Sequence, residues 1–123
     1  MAPATPHGFP RLMRLKDRRD FEHVRLAGRR LVRGCVIANW LEGADGAGTR
    51  LGVITGSRLG KAVVRSRARR LLREVFRVHQ AELRHPVTLI LVGRASIVGR
   101  KLAEVERDYL SLMRTAGLLR AEG

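Results

Sequence analysis

The sequence predicts an α+β sandwich, and three segments predict it. Residues 58–77 place apolar side chains at helical spacing, Val87–Gly93 is apolar at nearly every position, and Leu102, Val105, Tyr109, Leu112, Met113 and Ala116 recur at the period of another helix. A strand without a polar face needs cover on both sides, and amphipathic helices lying on a sheet supply it. A chain of 123 residues with 45% apolar content is large enough for one domain with a modest core.

Taken in order, Met1–Pro10 lacks the charged start and long apolar stretch of a secretory signal, so residues 1–11 are expected to form a flexible basic tail ahead of a domain spanning 12–117. A short basic helix follows, with Asp17 as N-cap, Asp20 in its first turn, Phe21 and Val24 inward and Gly28 as its stop. Cys35–Leu41 and Arg50–Thr55 are β-leaning runs joined by the glycine-rich stretch Glu42–Thr49, an arrangement that predicts an antiparallel pair. Gly56–Gly60 is a turn that launches the arginine-rich helix, expected to run to about Arg84, where His85-Pro86 breaks it. Val87–Gly93 then lies inside the sheet, and the last helix ends at Gly117, leaving 118–123 as a C-terminal tail.

Charge narrows the function. A net charge of +14 implies an acidic partner, nucleic acid ahead of acidic protein or a membrane surface. Half of that charge sits between Arg58 and Arg77, which holds eight basic residues and one acid, Glu74. Nine more basic residues lie between Arg11 and Arg33, against Asp17, Asp20 and Glu22. On a helical wheel Val64, Ala68, Leu71, Leu72, Val75, Phe76 and Val78 share one side, and Arg67, Arg69, Arg70, Arg73 and Arg77 the other. Like charges at i, i+4 cost an isolated helix about 0.2–0.5 kcal/mol per pair, which Glu74 offsets only in part. A solvated face mixes its signs; a single-sign rack of guanidinium groups suits a polyanion, because the planar fork matches phosphate.

Other chemistries find no support. Gly56-Ser-Arg-Leu-Gly-Lys61-Ala62 is one residue short of a phosphate-binding P-loop and lacks its Ser or Thr after the lysine. Asp17, Asp20 and Glu22 are explained by capping and the helix dipole. His7, His23, His79 and His85 show no zinc spacing, and Ser57, Ser66, Ser96 and Ser111 have no nucleophile context. Cys35, the single cysteine, excludes an internal disulfide and suits a reducing compartment, so a cytoplasmic protein is expected. No apolar run approaches membrane-spanning length. The few aromatics, Phe9, Phe21, Trp40, Phe76 and Tyr109, do not interleave with the arginines, which favours phosphate and RNA-shape contacts over a stacking platform. Phe21 and Trp40 are either contacts for an unpaired strand or core. A DNA reader of the helix-turn-helix type would need base-reading Asn or Gln on the basic helix, which has none. The alternative function is a non-enzymatic protein of the ribosome or another structured RNA.

Leu51-Gly-Val-Ile-Thr55 followed by Gly60-Lys-Ala-Val-Val-Arg-Ser-Arg-Ala-Arg-Arg-Leu-Leu-Arg-Glu-Val-Phe-Arg77 resembles the signature of the protein subunit of bacterial ribonuclease P. Leu15-Lys-Asp-Arg-Arg-Asp-Phe-Glu-His-Val24 with Gly28 is similar to that family's first helix, and Val87–Arg94 to its late strand. The resemblance covers roughly Leu12–Gly117. It implies an α-β-β-β-α-β-α sandwich of the ribosomal protein S5 domain 2-like kind, whose four-stranded sheet contains a left-handed crossover around the basic helix. It also implies an accessory role: the RNA subunit cleaves the 5′ leader from precursor tRNA with Mg2+, and the protein holds no cofactor, metal or catalytic residue of its own. The implied partners are the catalytic RNA and precursor tRNA, with no membrane or DNA. By position, Arg58, Lys61, Arg65, Ser66, Arg67, Arg69, Arg70 and Arg73 would face the catalytic RNA, while Phe21, Arg25 and Arg94 would take the leader. Ser66 stands where the family's Arg-Asn-Arg motif has Asn. Arg25 stands at an often aromatic position, and Cys35 and Ala38 replace aromatics of the cleft strand, so leader binding is expected to rest on charge more than on stacking.

Overall fold

The computed structural model describes residues 14–15, 17–42 and 48–120; the expected tail over residues 1–11 lies outside them. The elements are α1 (Arg18–Ala27), β1 (Arg29–Arg33), β2 (Val36–Glu42), β3 (Arg50–Thr55), α2 (Ala62–His79), β4 (Val87–Gly93) and α3 (Leu102–Ala116). Short 3-10 turns at Ser57–Leu59, Gln80–Glu82 and Ala95–Ile97 join them. Asp17 caps α1 as expected, its carboxylate accepting from the Arg19 amide at 2.9 Å. Gly117 ends α3 in the left-handed conformation, at φ 75°.

The sheet order is β1-β2-β4-β3. β4 pairs antiparallel with β2 and parallel with β3, and α2 is the connection between the parallel pair. The antiparallel pairing expected between Cys35–Leu41 and Arg50–Thr55 therefore does not form, because β4 is inserted between them. The continuously apolar strand takes the central place, where both of its faces are covered. β2 pairs instead with β1, a strand whose three arginines suit an exposed edge and conceal its β character in the sequence. Gly34 turns that hairpin at φ 54°, and a Cβ there would collide with the Asp108 carboxylate, which accepts from the Cys35 amide at 3.0 Å.

Alternation assigns the two faces. Val36, Ala38 and Trp40 of β2 join Val87, Leu89 and Leu91 of β4 in the main core under α2 and α3, with Leu72, Phe76, Tyr109, Leu112 and Met113. The opposite face carries α1, where Val24 and Leu15 pack on Ile90 with Phe21, Leu41 and Val92 at the margin. Trp40 is thus core. Leu15 also donates its amide to the Leu51 carbonyl at 2.7 Å, which lays the chain before α1 along the free edge of β3. Gly52 lets α1 settle: a Cβ there would lie 2.6 Å from two atoms of the Phe21 ring. Gly52→Ala is expected to lower stability by about 1–3 kcal/mol through overpacking, measured by urea unfolding.

Two boundaries differ from expectation. α2 stops at His79 rather than near Arg84, and the chain turns there to begin β4. The C-terminal tail starts later than 118: Leu118 is buried, its carbonyl accepts from Arg84 and the Arg120 amide donates to Glu82, closing a bridge between Leu83 and Leu119. At the same corner His79 lies between Glu82, 2.6 Å from Nδ1, and Glu106 of α3, 2.7 Å from Nε2. Both contacts are hydrogen bonds only if the ring carries both protons. Burial opposes that charge, but the hydrogen bonds to Glu106 and Glu82 outweigh it and raise the pKa above 6.5. A group whose folded pKa is raised stabilises fully below its unfolded value and loses that contribution as pH climbs through the folded one. The unfolding midpoint should therefore fall as pH rises above about 6.5, and His79→Gln should flatten that dependence.

Candidate nucleic-acid interface

α2 begins after Gly60, at φ 128°, with no acid in its first turn and with Arg58 and Lys61 at its positive end, an arrangement that favours an anion. Arg58, Lys61, Arg67 and Arg70 are exposed, and none has a carboxylate partner among the described residues. Arg67 donates to the Arg100 carbonyl at 3.0 Å. Arg77 is occupied by Glu74, at 2.5 Å.

The single outward rack expected from the wheel is in fact divided. Arg65, Arg69 and Arg73 lie on a half-buried flank of α2. Arg69 donates to Thr55 Oγ1 at 2.7 Å and to Ser66 Oγ at 3.1 Å, so it ties α2 to the end of β3. Ser66 therefore aims Arg69. Arg73 borders a cavity of about 220 Å³ at the free edge of β3, together with Arg14, Leu51 and Phe21. Burial and the neighbouring Arg14 and Arg69 all disfavour its charge, so an anion placed there would relieve it.

Beside α1 a second cavity of about 200 Å³ opens on the sheet, lined by Phe21 and Arg25 from the helix, Asn39 from β2, Ile54 from β3, and Ile90 and Val92 from β4. Phe21 lines both cavities, so the groove passes its ring and continues to Arg73. Arg25 is exposed and pairs with Glu22 at 3.1 Å, a contact weak enough to exchange for phosphate. Arg94 follows β4, donating to the Gly34 carbonyl at 3.0 Å, and is not among the residues that line the groove.

Two of the expected cleft positions are corrected. Ala38 and Cys35 are buried, Ala38 under α2 and α3 on the far side of the sheet, so neither faces the groove. Asn39, one residue along, does. Sequence reasoning also missed Arg14 and Ile54, the first brought in by its bridge to Leu51 and the second by its parity with Gly52. Burial and a hydrogen bond with Asp108 push the Cys35 thiol up to about 11, which leaves it protonated and inert.

Among the described residues no three His, Cys, Asp or Glu side chains gather as metal ligands, and no helix is long and apolar enough to cross a membrane. Fold and surfaces define a nucleic-acid-binding α+β protein that offers cations along one helix and a half-apolar groove beside another. A family model described as Ribonuclease P matches residues 9–117. The ribonuclease P protein component of Symbiobacterium thermophilum is 34% identical over 110 residues, covering 89% of this chain and 96% of that protein. That of Gluconacetobacter diazotrophicus is 36% identical over 113 residues, covering 91% and 97%. The solved RNase P protein from Thermotoga maritima is similar with a TM-score of 0.72 at 26% identity, covering 89% of this chain and 98% of that one. That from Staphylococcus aureus shares the fold, with a TM-score of 0.80 at 20% identity over 88% and 98%. The chain belongs to the ribonuclease P protein family.

Proposed function

We propose that the protein is the RNA-binding accessory subunit of cytoplasmic ribonuclease P, assisting removal of the 5′ leader from precursor tRNA while the RNA subunit carries the chemistry with Mg2+. The observation that carries this reading is the placement of Phe21 between two cavities, one opening on the groove and one on Arg14 and Arg73. In it Arg58, Lys61, Arg65, Arg67 and Arg70 contact the catalytic RNA, and Ser66 positions Arg69 between that surface and β3. Arg73 takes a phosphate at the junction. Phe21 and Arg25, with Asn39, receive an unpaired leader, and Arg94 meets it beyond the end of β4.

Bringing two polyanions together is opposed by their charge, and a protein of net charge +14 lowers that barrier as added Mg2+ does. With its cognate RNA, the purified protein is expected to support cleavage of precursor tRNA at Mg2+ concentrations where the RNA alone is slow. Cleavage by the protein without RNA, or no effect of the protein at limiting Mg2+, would overturn this reading.

A further inference from the structure

On the other flank of α1 lies a cavity of about 290 Å³ that the groove does not reach, walled by Asp20, His23 and Val24 of α1, Glu42 of β2, Arg50 of β3 and Thr88 of β4. Its charge departs from the rest of the molecule. Asp20 is paired with Arg50 at 2.6 Å, and Glu42 accepts from His85 Nε2 at 3.0 Å. Two carboxylates at the rim rule out a phosphate site. Thr88 is the one buried polar residue among the described ones, 7% exposed, and its hydroxyl has no hydrogen-bond partner there although it borders the cavity. Valine has the same shape and would fill a central strand without stranding a hydroxyl, so the oxygen calls for a ligand.

Taken with the RNA-binding reading above, we infer that this cavity receives one unpaired guanine base of an RNA partner. Guanine offers adjacent N–H donors at N1 and N2 to a carboxylate, and acceptors at O6 and N7 to a hydroxyl, imidazole or guanidinium. The lining holds each of these: Asp20 and Glu42 accept, Thr88, His23 and Arg50 donate, and Val24 offers an apolar wall to the ring. The volume sits at the lower bound of small-molecule sites, about 300 Å³, and suits one heterocycle rather than a larger ligand. Uracil, with a single ring donor and two carbonyls, would set its oxygens against the carboxylates.

The test is titration of the ¹⁵N-labelled full chain with guanosine, which carries no phosphate, and with uridine, following the amides of Val24, Glu42 and Thr88. Guanosine is expected to shift these amides saturably and uridine to bind about tenfold or more weakly, the cost of an unpaired polar contact. Thr88→Val, which removes only the hydroxyl, and Glu42→Gln should each weaken guanosine by a similar factor. No saturable shift with guanosine, equal binding of uridine, or unchanged affinity in both variants overturns the inference. Support of precursor cleavage by the same wild-type preparation shows whether the accessory-subunit reading stands independently of that outcome.

Discussion

Replacing Arg67 and Arg70 together by alanine is expected to weaken binding of the catalytic RNA about 10- to 100-fold while leaving the fold as stable as before. Both side chains are exposed on the solvent side of α2, and neither has a carboxylate partner. Alanine is the better helix former and removes like-charge repulsion, so stability should hold or rise by a few tenths of a kcal/mol. Each lost phosphate contact should flatten the plot of log affinity against log salt by about 0.7–0.9, hence roughly 1.4–1.8 for the pair. Arg69→Ala is the contrasting variant. It removes the hydrogen bond to Thr55 and should lower stability by about 0.5–1.5 kcal/mol as well as affinity. A salt slope unchanged in the double variant would make this helix face merely solvated.

Phe21→Ala should separate leader binding from packing. The ring is half-buried against Gly52 and lines the groove, so its removal is expected to cost about 2–3 kcal/mol of stability, less than the 3–5 of a fully buried phenylalanine. If an unpaired base stacks on the exposed part, affinity of the assembled enzyme for precursor tRNA should fall about 5- to 150-fold, the equivalent of 1–3 kcal/mol, with mature tRNA unaffected. Equal weakening toward both tRNAs in a folded variant would assign Phe21 to the core alone. The partner substitution that restores stacking belongs at Asn39, since a tyrosine at Ala38 would be forced into the closed core behind the sheet.

Much of this architecture is legible in the chain because its cues are local. Asp17 and Gly28 bound α1, Gly117 stops α3, and the unbroken apolar run of β4 announces a strand covered on both faces. The arrangement of the sheet is not local. Nothing between Glu42 and Arg50 tells that a strand 35 or more residues onward will part β2 from β3, and three arginines disguise β1 as loop. The site shows the same division. Helical spacing identifies α2 as basic, yet only the packed structure reveals that Thr55 stands against one flank and turns Arg69 into a tether. Parity within β2 was the costliest slip: a shift of one residue carries every side chain to the other face, which exchanges the buried Ala38 for the groove-facing Asn39.

The central claim is that two surfaces hold two different RNAs, and site-directed photocrosslinking tests it directly. Cys35 is buried and protonated, so a cysteine placed elsewhere is the one that labels. Val63→Cys, 72% exposed at the start of α2, and Ile54→Cys, 40% exposed at the groove, each accept a photoreactive group. In the assembled enzyme with precursor tRNA, the label at 63 should capture the catalytic RNA and the label at 54 the leader of the precursor. Capture of the same RNA by both, or of mature tRNA as efficiently as precursor at 54, would contradict the account.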